Sequence, residues 1–507
     1  NTAGTYYYQC GNHAGMLGTI TVTATTTIDL SAGNMITFNQ SANTTVSFAN
    51  TSAAMDVTII RVKDATTTAR TITWPDSVKW DGGSAPTLIT DSVSGDSQQF
   101  QFLTRDSGVT WYAWENFKYD GPYAAATMWG WGENSYGRLG LNTQGNPTSV
   151  SSPTQIGTKN DWVAEKTIST TGNSAGNRFA INLAGELWGW GWNNNGQIGL
   201  NDVVDRSSPT QIPGTTWDQV FNSHDMTVTR KTDGTMWVWG KGHVGQLGLN
   251  SPTNTKYSSP VQLGTEATWT RSFGGRQGTS IGVKTDGTFW SWGYNYHGML
   301  GLNQSSALKI SSPTQLGTNT TWGTSVRESR AGAQCVAAIK TDGTLWMWGK
   351  NAKGCLGLNQ PSDNTRYSSP VQVGTNTNWT MISSSYRSMI ALKDDNTLWT
   401  WGDPDDGVLG LNQAGSFPQS PRYQTARSSP TQIPGTWKSP ITTAVYATGA
   451  FKTDGTFWIW GDNFRGELGL NTPRPSQISS PTQLPGSSDW IAVGSAGRGM
   501  IGFQTAV

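Results

Sequence analysis

The residues best suited to metal chemistry lie close to the beginning of the chain. Cys10, His13 and Met16 stand at three-residue intervals, and a thiolate, an imidazole and a thioether on one loop suit a copper ion. Such a site also needs a second histidine from an upstream strand, whereas the other histidines lie far downstream. These residues are therefore expected to bind metal only if sequence upstream of Asn1 supplies that histidine. The sequence otherwise predicts no cofactor.

The remaining polar residues do not form a recognisable catalytic set. The sequence shows no Ser, His and Asp in a hydrolase arrangement, no recurring carboxylate pair and no glycine-rich loop between a strand and a helix. We therefore expect a protein that is not an enzyme. The net charge of +1 favours neither nucleic acid nor an anionic membrane as a partner, and no apolar run approaches the ~18 residues of a bilayer span.

Candidate binding residues lie in a loop motif, Gly-x-(Leu/Ile)-Gly-Leu-Asn, that recurs seven times. The residue before its first glycine differs between copies: Tyr136, Asn195, Val244, His297, Lys353, Asp406 and Arg465. Seven equivalent positions on one rim would form a ring of mixed chemistry able to bind a ligand. The alternative is that they are solvent positions that tolerate any residue.

A second candidate is the longest of the loops that follow this motif, residues 412–427. It contains Phe417, Arg422 and Tyr423, an aromatic and arginine set of the kind that anchors interfaces or stacks on sugars. Long loops in compact β proteins are often functional. The alternative is a plain long loop.

The elements that position these loops are marked by tryptophan. Each loop follows the sequence Trp-x-Trp-Gly, and each is followed by Ser-Ser-Pro and a third tryptophan, so three tryptophans in seven copies account for 21 of the 26 in the chain. The Trp-Gly pairs begin at Trp131, Trp190, Trp239, Trp292, Trp348, Trp401 and Trp460. The tryptophan content is therefore periodic and architectural.

Each repeat predicts β-strands that cannot stand alone. Asp233-Gly234 lies between two apolar runs, which predicts a hairpin with a tight primed turn. The run from Met236 to Trp239 is apolar throughout, so that strand should be covered on both faces. Units of this kind bury their faces by stacking into a closed ring. We therefore expect an all-β, seven-bladed propeller, with a last strand of about Met500–Thr505 pairing beside Thr127–Trp131.

These motifs resemble the regulator of chromosome condensation repeat in its bacterial and viral form. The resemblance covers about Tyr123–Val507 and implies the same seven-bladed propeller. Two loops depart from the motif, with Gly242 and Pro404 in place of its asparagine, and one turn has Asp395-Asn396 in place of Asp-Gly. These turns are expected to differ locally.

Two further pieces precede the propeller, which we place at residues 120–507. Residues 19–119 are rich in Thr, Ser and Val and predict an antiparallel β-sandwich or similar small β domain. Its tryptophans are expected in the core and Asp106-Ser107-Gly108 in a hairpin turn; the segment resembles a β domain of bacteriophage tail fibres. Residues 1–18 resemble the end of a cupredoxin-like domain, expected to be incomplete. They are either a structural remnant or a fragment of a longer domain.

Together these resemblances imply a bacteriophage virion protein, a tail fibre or appendage whose propeller binds the host surface. The implied partners are a host cell-surface glycan or protein and other virion proteins. The implied assembly is a homotrimer and the implied location is the extracellular virion. The alternatives are a secreted or surface adhesin and, as in eukaryotic members of the repeat family, guanine-nucleotide exchange or chromatin binding, which the near-zero net charge disfavours.

Overall fold

The chain forms two compact units, Asn1–Ala124 and Ala125–Val507, in a computed structural model. No helix in the described part of the chain is both long and apolar enough to cross a membrane. The structure describes residues 7–9, 17–19, 25–30, 35–40, 43–51, 55–63, 71–80, 85, 88, 97–104, 106–119, 125–143, 149–167, 176–223, 225–251, 254–275, 278–323, 329–332, 334–360, 365–385, 387–412, 426–472, 476–486, 490–495 and 497–505.

The first unit is a small β structure with an aromatic core. Val57, Phe100, Phe102 and Trp111 are almost fully buried in it, and Trp74 packs against this core. Its strands are β1 (Tyr7–Gln9), β2 (Leu17–Thr19), β3 (Thr25–Asp29), β4 (Met35–Gln40), β5 (Thr44–Ala49), β6 (Met55–Lys63), β7 (Ile72–Thr73), β8 (Val78–Trp80), β9 (Ser97–Thr104) and β10 (Trp111–Tyr119).

The expectation of an antiparallel sheet in this unit is only partly met. Strands β3 to β8 alternate between a sheet of order β4-β6-β9-β10-β8 and a sheet of order β3-β5-β7. A chain that changes sheet at each turn returns in the same direction, so β3 runs parallel to β5, β5 to β7 and β4 to β6. The hairpin predicted at Asp106-Ser107-Gly108 is present and joins the antiparallel pair β9 and β10.

The second unit consists almost entirely of short strands. Its described residues include one short helix, α1 (Ala164–Thr167), and single 3₁₀ turns at Ser135–Gly137, Tyr296–Gly298, Ala352–Gly354 and Asp405–Gly407. The strands are β11 (Ala126–Glu133), β12 (Ser149–Gln155), β13 (Asn177–Ile181), β14 (Leu187–Gly191), β15 (Arg206–Ile212), β16 (Trp217–Asn222), β17 (Met226–Lys231), β18 (Met236–Gly242), β19 (Thr255–Gln262), β20 (Trp269–Gly274), β21 (Thr279–Lys284), β22 (Phe289–Tyr294), β23 (Lys309–Gln315), β24 (Ser329–Ala331), β25 (Cys335–Ile339), β26 (Leu345–Lys350), β27 (Arg366–Gln372), β28 (Trp379–Ser384), β29 (Ser388–Lys393), β30 (Leu398–Gly402), β31 (Arg427–Ile433), β32 (Trp437–Thr443), β33 (Ala447–Lys452), β34 (Phe457–Asp462), β35 (Gln477–Gln483), β36 (Trp490–Ser495) and β37 (Gly499–Thr505).

These strands form the predicted seven blades. Blades three to seven are the antiparallel sheets β16–β19, β20–β23, β24–β27, β28–β31 and β32–β35, and blade two is β13–β15 with α1 beside it. Blade one joins the two ends of the unit in the order β12-β11-β37-β36. The last strand pairs as predicted, with Thr127 opposite Gln504 and Trp131 opposite Met500, which closes the ring.

The Asp-Gly hairpins are present, but their turns are not of the primed type. Of the two residues Asp233 and Gly234 in the blade-three turn, only Gly234 has a positive φ, 81°, and its N–H donates to the Lys231 carbonyl at 2.9 Å. The Lys231 N–H in turn donates to the Thr235 carbonyl, so three residues lie between the paired ends and glycine closes the loop. The expected local difference at Asn396 is absent, because it adopts the same conformation with φ 63°.

A tryptophan in every blade bonds to the blade before it. The second indole of each Trp-x-Trp-Gly is fully buried, and its Nε1 donates to a backbone carbonyl at 2.8–3.0 Å. The pairs are Trp131 with Glu467, Trp190 with Arg138, Trp239 with Gln197, Trp292 with Gln246, Trp348 with Met299, Trp401 with Cys355 and Trp460 with Val408. The first pair spans the junction that closes the ring.

A second bond joins neighbouring blades near the outer strand. The asparagine that ends each loop motif donates its backbone N–H to a serine carbonyl of the next blade at 2.7–2.9 Å, as Asn201 does to Ser258. The first glycine of the motif lies against the same serine, where a Cβ on Gly196 would approach the Ser258 Cα to 2.7 Å. The loop motif is therefore the part of the repeat that fastens each blade to the next.

Trp348→Phe is expected to lower the free energy of unfolding by about 2–3 kcal/mol, because it removes the donor to the Met299 carbonyl and part of a fully buried ring. Trp346→Phe in the same blade is the control. That half-buried indole donates only within its own strand end, to Thr344 Oγ1 at 2.9 Å, so we expect a loss of about 1 kcal/mol. Urea unfolding measures both values, and equal losses would contradict the importance of the inter-blade bond.

Candidate functional site: the loop face of the propeller

One rim of the propeller, here called the loop face, carries two loops from each blade: the turn between the first two strands and the Gly-x-(Leu/Ile)-Gly-Leu-Asn loop. A backbone hydrogen bond of 2.8–3.1 Å joins the two in every blade. The donors and acceptors are Glu133 and Arg498, Trp192 and Gly176, Lys241 and Asp225, Tyr294 and Gly278, Lys350 and Gln334, Asp403 and Arg387, and Asp462 and Tyr446. The loop face is therefore a rigid ring of loops.

The residue after the first motif glycine determines which of two backbones the loop adopts. In blades two, three and seven this residue is Gln197, Gln246 or Glu467, and its side chain accepts the backbone N–H two positions earlier at 2.7–2.9 Å. In the other four blades the residue before the glycine has a positive φ of 58–64° instead, at Tyr136, His297, Lys353 and Asp406. Where the side chain after the first motif glycine cannot accept this hydrogen bond, the loop backbone adopts the second conformation.

The predicted ring positions touch the neighbouring blade. Asn195 donates its amide to Asp225 at 3.2 Å, and the Lys353 ammonium lies 4.0 Å from the Asp403 carboxylate. His297 is only 4% exposed. The alternative that these are tolerant solvent positions is therefore wrong for Asn195 and His297. Neighbouring blades restrict what each position can hold, which the repeat alone does not reveal.

Two ring positions stand beside exposed aromatic groups. Tyr136 is 53% exposed, and its ring centroid lies 5.9 Å from that of Trp192 in the next blade. Arg465 places its guanidinium 5.3 Å from the ring of Phe464, which is 49% exposed. The two groups therefore lie on either side of blade one, the first at its junction with blade two and the second at its junction with blade seven.

Several predicted residues lie outside the described part of the chain. Phe417, Arg422 and Tyr423 belong to residues 413–425, and the proposed copper ligands Cys10, His13 and Met16 belong to residues 10–16. Within the described residues, no group of three His, Cys, Asp or Glu side chains is arranged to hold a metal ion.

A cavity of about 170 Å³ opens on the loop face between blades six and seven. Asp403, Asp405, Asp406, Arg387 and Tyr446 contribute to its lining. Burial raises the pKa of Asp403 above its ordinary value, and the neighbouring Asp405 acts in the same direction. Blade six thus contributes three aspartates to the loop face.

Buried charges also lie where the ring closes. Burial raises the pKa of Glu467 to about 7, and Asp462 and Glu133 raise it further by repulsion. Arg138 lies 3.4 Å from Glu133, and burial lowers the pKa of this arginine. The closing junction thus carries a carboxyl group that remains about half protonated at neutral pH.

Four segments of the propeller match a known repeat. Residues 127–168, 184–228, 233–280 and 342–392 match the regulator of chromosome condensation (RCC1) repeat. Each segment begins at or shortly before the strand that carries Trp-x-Trp-Gly.

These four segments are RCC1 repeats.

Curated relatives of this RCC1 propeller are regulatory proteins. The ultraviolet-B receptor UVR8 of Arabidopsis thaliana is 28% identical over 308 residues, which cover 59% of this chain and 67% of the receptor. Human HERC2, an E3 ubiquitin-protein ligase, is 26% identical over 308 residues, which cover 60% of this chain and 6% of the ligase. Human HERC3, a probable E3 ligase, is 30% identical over 36% of this chain and 17% of its own.

Solved structures share the fold of the RCC1 propeller. Prp20p of Saccharomyces cerevisiae, described with its binding properties to Gsp1p and histones, superposes with a TM-score of 0.64 at 18% identity, over 76% of this chain and 92% of its own. The same yeast protein bound to Kap60 gives 0.63 at 17% identity, over 76% and 90%. Human WBSCR16 gives 0.60 at 18% identity, over 75% and 99%.

The interpretation as a virion protein that binds host glycans is wrong. The relatives are a plant receptor and ubiquitin ligases, and Prp20p is described with Gsp1p, histones and Kap60. The second tryptophan of each Trp-x-Trp-Gly is buried between blades, in keeping with its predicted architectural role, and is not available to bind a glycan. The same relatives contradict the virion partners, the homotrimer that the resemblance to tail fibres implied and the adhesin alternative.

A recurring lysine was not predicted to have a role: it precedes Thr-Asp-Gly in four blades and Asp394-Asp395-Asn396 in blade six. In five RCC1 blades its ammonium lies 3.6–5.6 Å from the ring centroids of two tryptophans, on the rim opposite the loop face. In blade two, Asn182 takes the position and Lys159 supplies the cation from a loop. The available signal was the recurrence of Lys with the two tryptophans, since cations bind indole faces.

Proposed function

We propose that the propeller is the partner-binding domain of a regulatory protein and that its loop face is the binding surface. The observation that carries this proposal is the ring of loops. A repeated backbone frame holds seven positions whose side chains differ between blades. Such a frame fixes varied chemical groups in place before a partner arrives, which reduces the entropy lost on binding.

Tyr136, Phe464 and Arg465 form the part of the loop face best suited to anchor a protein. Tyr136 and Phe464 are each about half exposed, and Arg465 lies over the Phe464 ring. Tyrosine, phenylalanine and arginine are enriched in the cores of protein interfaces, where desolvated aromatic groups contribute much of the affinity. The three residues therefore favour a protein partner over a small polar ligand.

The relatives support a role in regulation through protein partners. Prp20p is described as binding Gsp1p, histones and Kap60, and UVR8 is named a receptor. The match spans only 6% of the ligase HERC2, so we propose binding rather than catalysis for this chain. A small GTPase of the Gsp1p type and histones are the first candidate partners to assay.

Photocrosslinking residues placed at Tyr136 and Phe464 are expected to capture the partner, because both positions are exposed on the loop face. The control is the same residue at Leu183, which is 46% exposed and lies in the turn on the opposite rim. The captured protein is then purified and its affinity measured by calorimetry. We expect Tyr136→Ala and Phe464→Ala to weaken binding about tenfold each, with Leu183→Ala unchanged. Capture from Leu183 alone would refute the loop face as the binding surface.

A further inference from the structure

The loop face of blades three and five places cations directly opposite each other. Lys241 of β18 pairs with Lys256 of β19, and Lys350 of β26 pairs with Arg366 of β27. Like charges at directly opposed positions of an antiparallel ladder destabilise the sheet. Among the described residues, none of these four side chains takes part in an ion pair. The two pairs therefore represent unbalanced positive charge.

His297 lies beside the second pair, Lys350 and Arg366. It belongs to the blade-four loop, and that loop packs against β26 and β27 of blade five. Its side chain is almost fully buried, and neither ring nitrogen has a hydrogen-bond partner in the described structure. Burial lowers its pKa to about 4, and the adjacent Arg366 and Lys350 contribute to that shift. The imidazole thus lies in a positive environment.

Two equivalent junctions place a carboxylate beside the ring residue, where the junction at His297 places two cations. Lys353, the ring residue of blade five, meets the carboxylate of Asp403 in blade six, and Asn195 of blade two meets that of Asp225 in blade three. His297 occupies the same position and faces Lys350 and Arg366. The described loop residues 293–310, 349–360 and 365–366 contain no aspartate or glutamate, and the one acid between them, Asp363, lies outside the described residues.

We propose that Lys241, Lys256, His297, Lys309, Lys350 and Arg366, here called the basic arc, bind an acidic segment of the protein partner. The inference deepens the proposed function, because it rests on the loop face being the partner-binding surface. A carboxylate entering between Lys350 and Arg366 relieves their mutual repulsion and forms two charge-assisted hydrogen bonds. Binding of the carboxylate therefore removes the electrostatic repulsion between Lys350 and Arg366 that is present in the free propeller.

An acidic protein segment fits the arc better than nucleic acid does. Three aspartates, Asp403, Asp405 and Asp406, stand in the loop of the adjoining blade six, where a continuous phosphate backbone leaving the arc would meet repulsion. The net charge of the chain is only +1, whereas nucleic-acid-binding domains carry strong positive charge. A peptide can present its carboxylates locally and continue with neutral or basic residues.

The test measures binding of a fluorescent glutamate-rich peptide by anisotropy, near physiological ionic strength. Its glutamine counterpart, a single-stranded oligonucleotide and vesicles containing phosphatidylserine are the competing probes. Lys350→Glu and Arg366→Glu are each expected to weaken binding of the glutamate peptide about tenfold. Lys438→Glu makes the same charge change at an exposed position near the opposite rim and should leave affinity within about twofold.

A second readout follows the protonation of His297 by NMR of labelled histidine, with His297→Gln to assign the resonance. A bound carboxylate should raise the pKa of His297, because it offsets the nearby cations. The inference is overturned if the glutamate peptide does not bind, if Lys438→Glu is as harmful as the arc substitutions, or if the oligonucleotide or vesicles bind more tightly. If Tyr136 and Phe464 still capture a partner whose affinity the arc substitutions leave unchanged, the basic arc fails while the proposed function stands.

Discussion

Deletion of residues 499–507 is expected to abolish cooperative unfolding of the propeller. The deletion removes β37, which lies between β36 and β11 and buries Met500, Ile501 and Phe503 to within 4% of full burial. Each such side chain contributes about 1.5–3 kcal/mol, and both neighbouring strands lose their backbone partner. The combined loss approaches the whole stability of a typical domain. Thermal unfolding followed by tryptophan fluorescence measures it.

Point substitutions distinguish the effect of losing buried side chains of the closing strand from the effect of shortening the chain. Phe503→Ala is expected to cost about 3–5 kcal/mol, because it leaves a cavity in a fully buried site, whereas Thr505→Ala changes an exposed position at the end of the same strand. Adding a synthetic peptide of residues 497–507 to the truncated protein should restore part of the stability. An unchanged melting temperature after the deletion would show that the ring does not depend on this strand.

The sequence predicted the ring because the tryptophans carry its period. The spacing of Trp-x-Trp-Gly defines seven units. The strand Met236–Gly242 is mostly buried, with only two half-buried positions, so it cannot be stable without neighbouring strands. The sequence could not predict that the Trp239 indole bonds to the carbonyl of Gln197. That carbonyl belongs to the loop of the preceding blade. Every residue has a backbone carbonyl, so the residue type does not show which carbonyl accepts the bond.

The candidate site was less predictable than the fold. The positions of Tyr136, Asn195, His297, Lys353 and Arg465 on one rim follow from the repeat, but their contacts do not. Tyr136 and Lys353 meet the residue after Trp-Gly in the next blade, a tryptophan and an aspartate respectively. Asn195 instead meets Asp225, in the turn between the first two strands of the next blade. The parallel pairs of the first unit were missed for a similar reason, since alternation in a strand indicates burial but not which strand lies beside it.

Glu467→Gln is expected to stabilise the propeller increasingly as the pH rises from 4.5 to 7. The folded-state pKa of Glu467 is about 7 against an ordinary value of 4.5, so the folded protein binds a proton that the unfolded chain releases in that interval. Stability therefore falls as the pH rises through this window. Glutamine carries no charge to desolvate, and the difference between the variant and the parent should grow by about 3 kcal/mol between pH 4 and pH 8.

Two other blades of the propeller already have glutamine at the position equivalent to Glu467. Gln197 and Gln246 occupy the equivalent position in blades two and three, and their Oε1 atoms accept the same loop N–H at 2.8 and 2.9 Å that Glu467 accepts at 2.7 Å. The loop geometry should therefore survive, and any effect of the new amide that does not depend on pH cancels in the comparison between pH 4 and pH 8. Gln197→Glu is the reciprocal variant and should introduce a loss of stability above pH 4.5. Urea unfolding at a series of pH values measures both, and parallel curves for Glu467→Gln and the parent would show that this carboxyl group ionises normally in the folded ring.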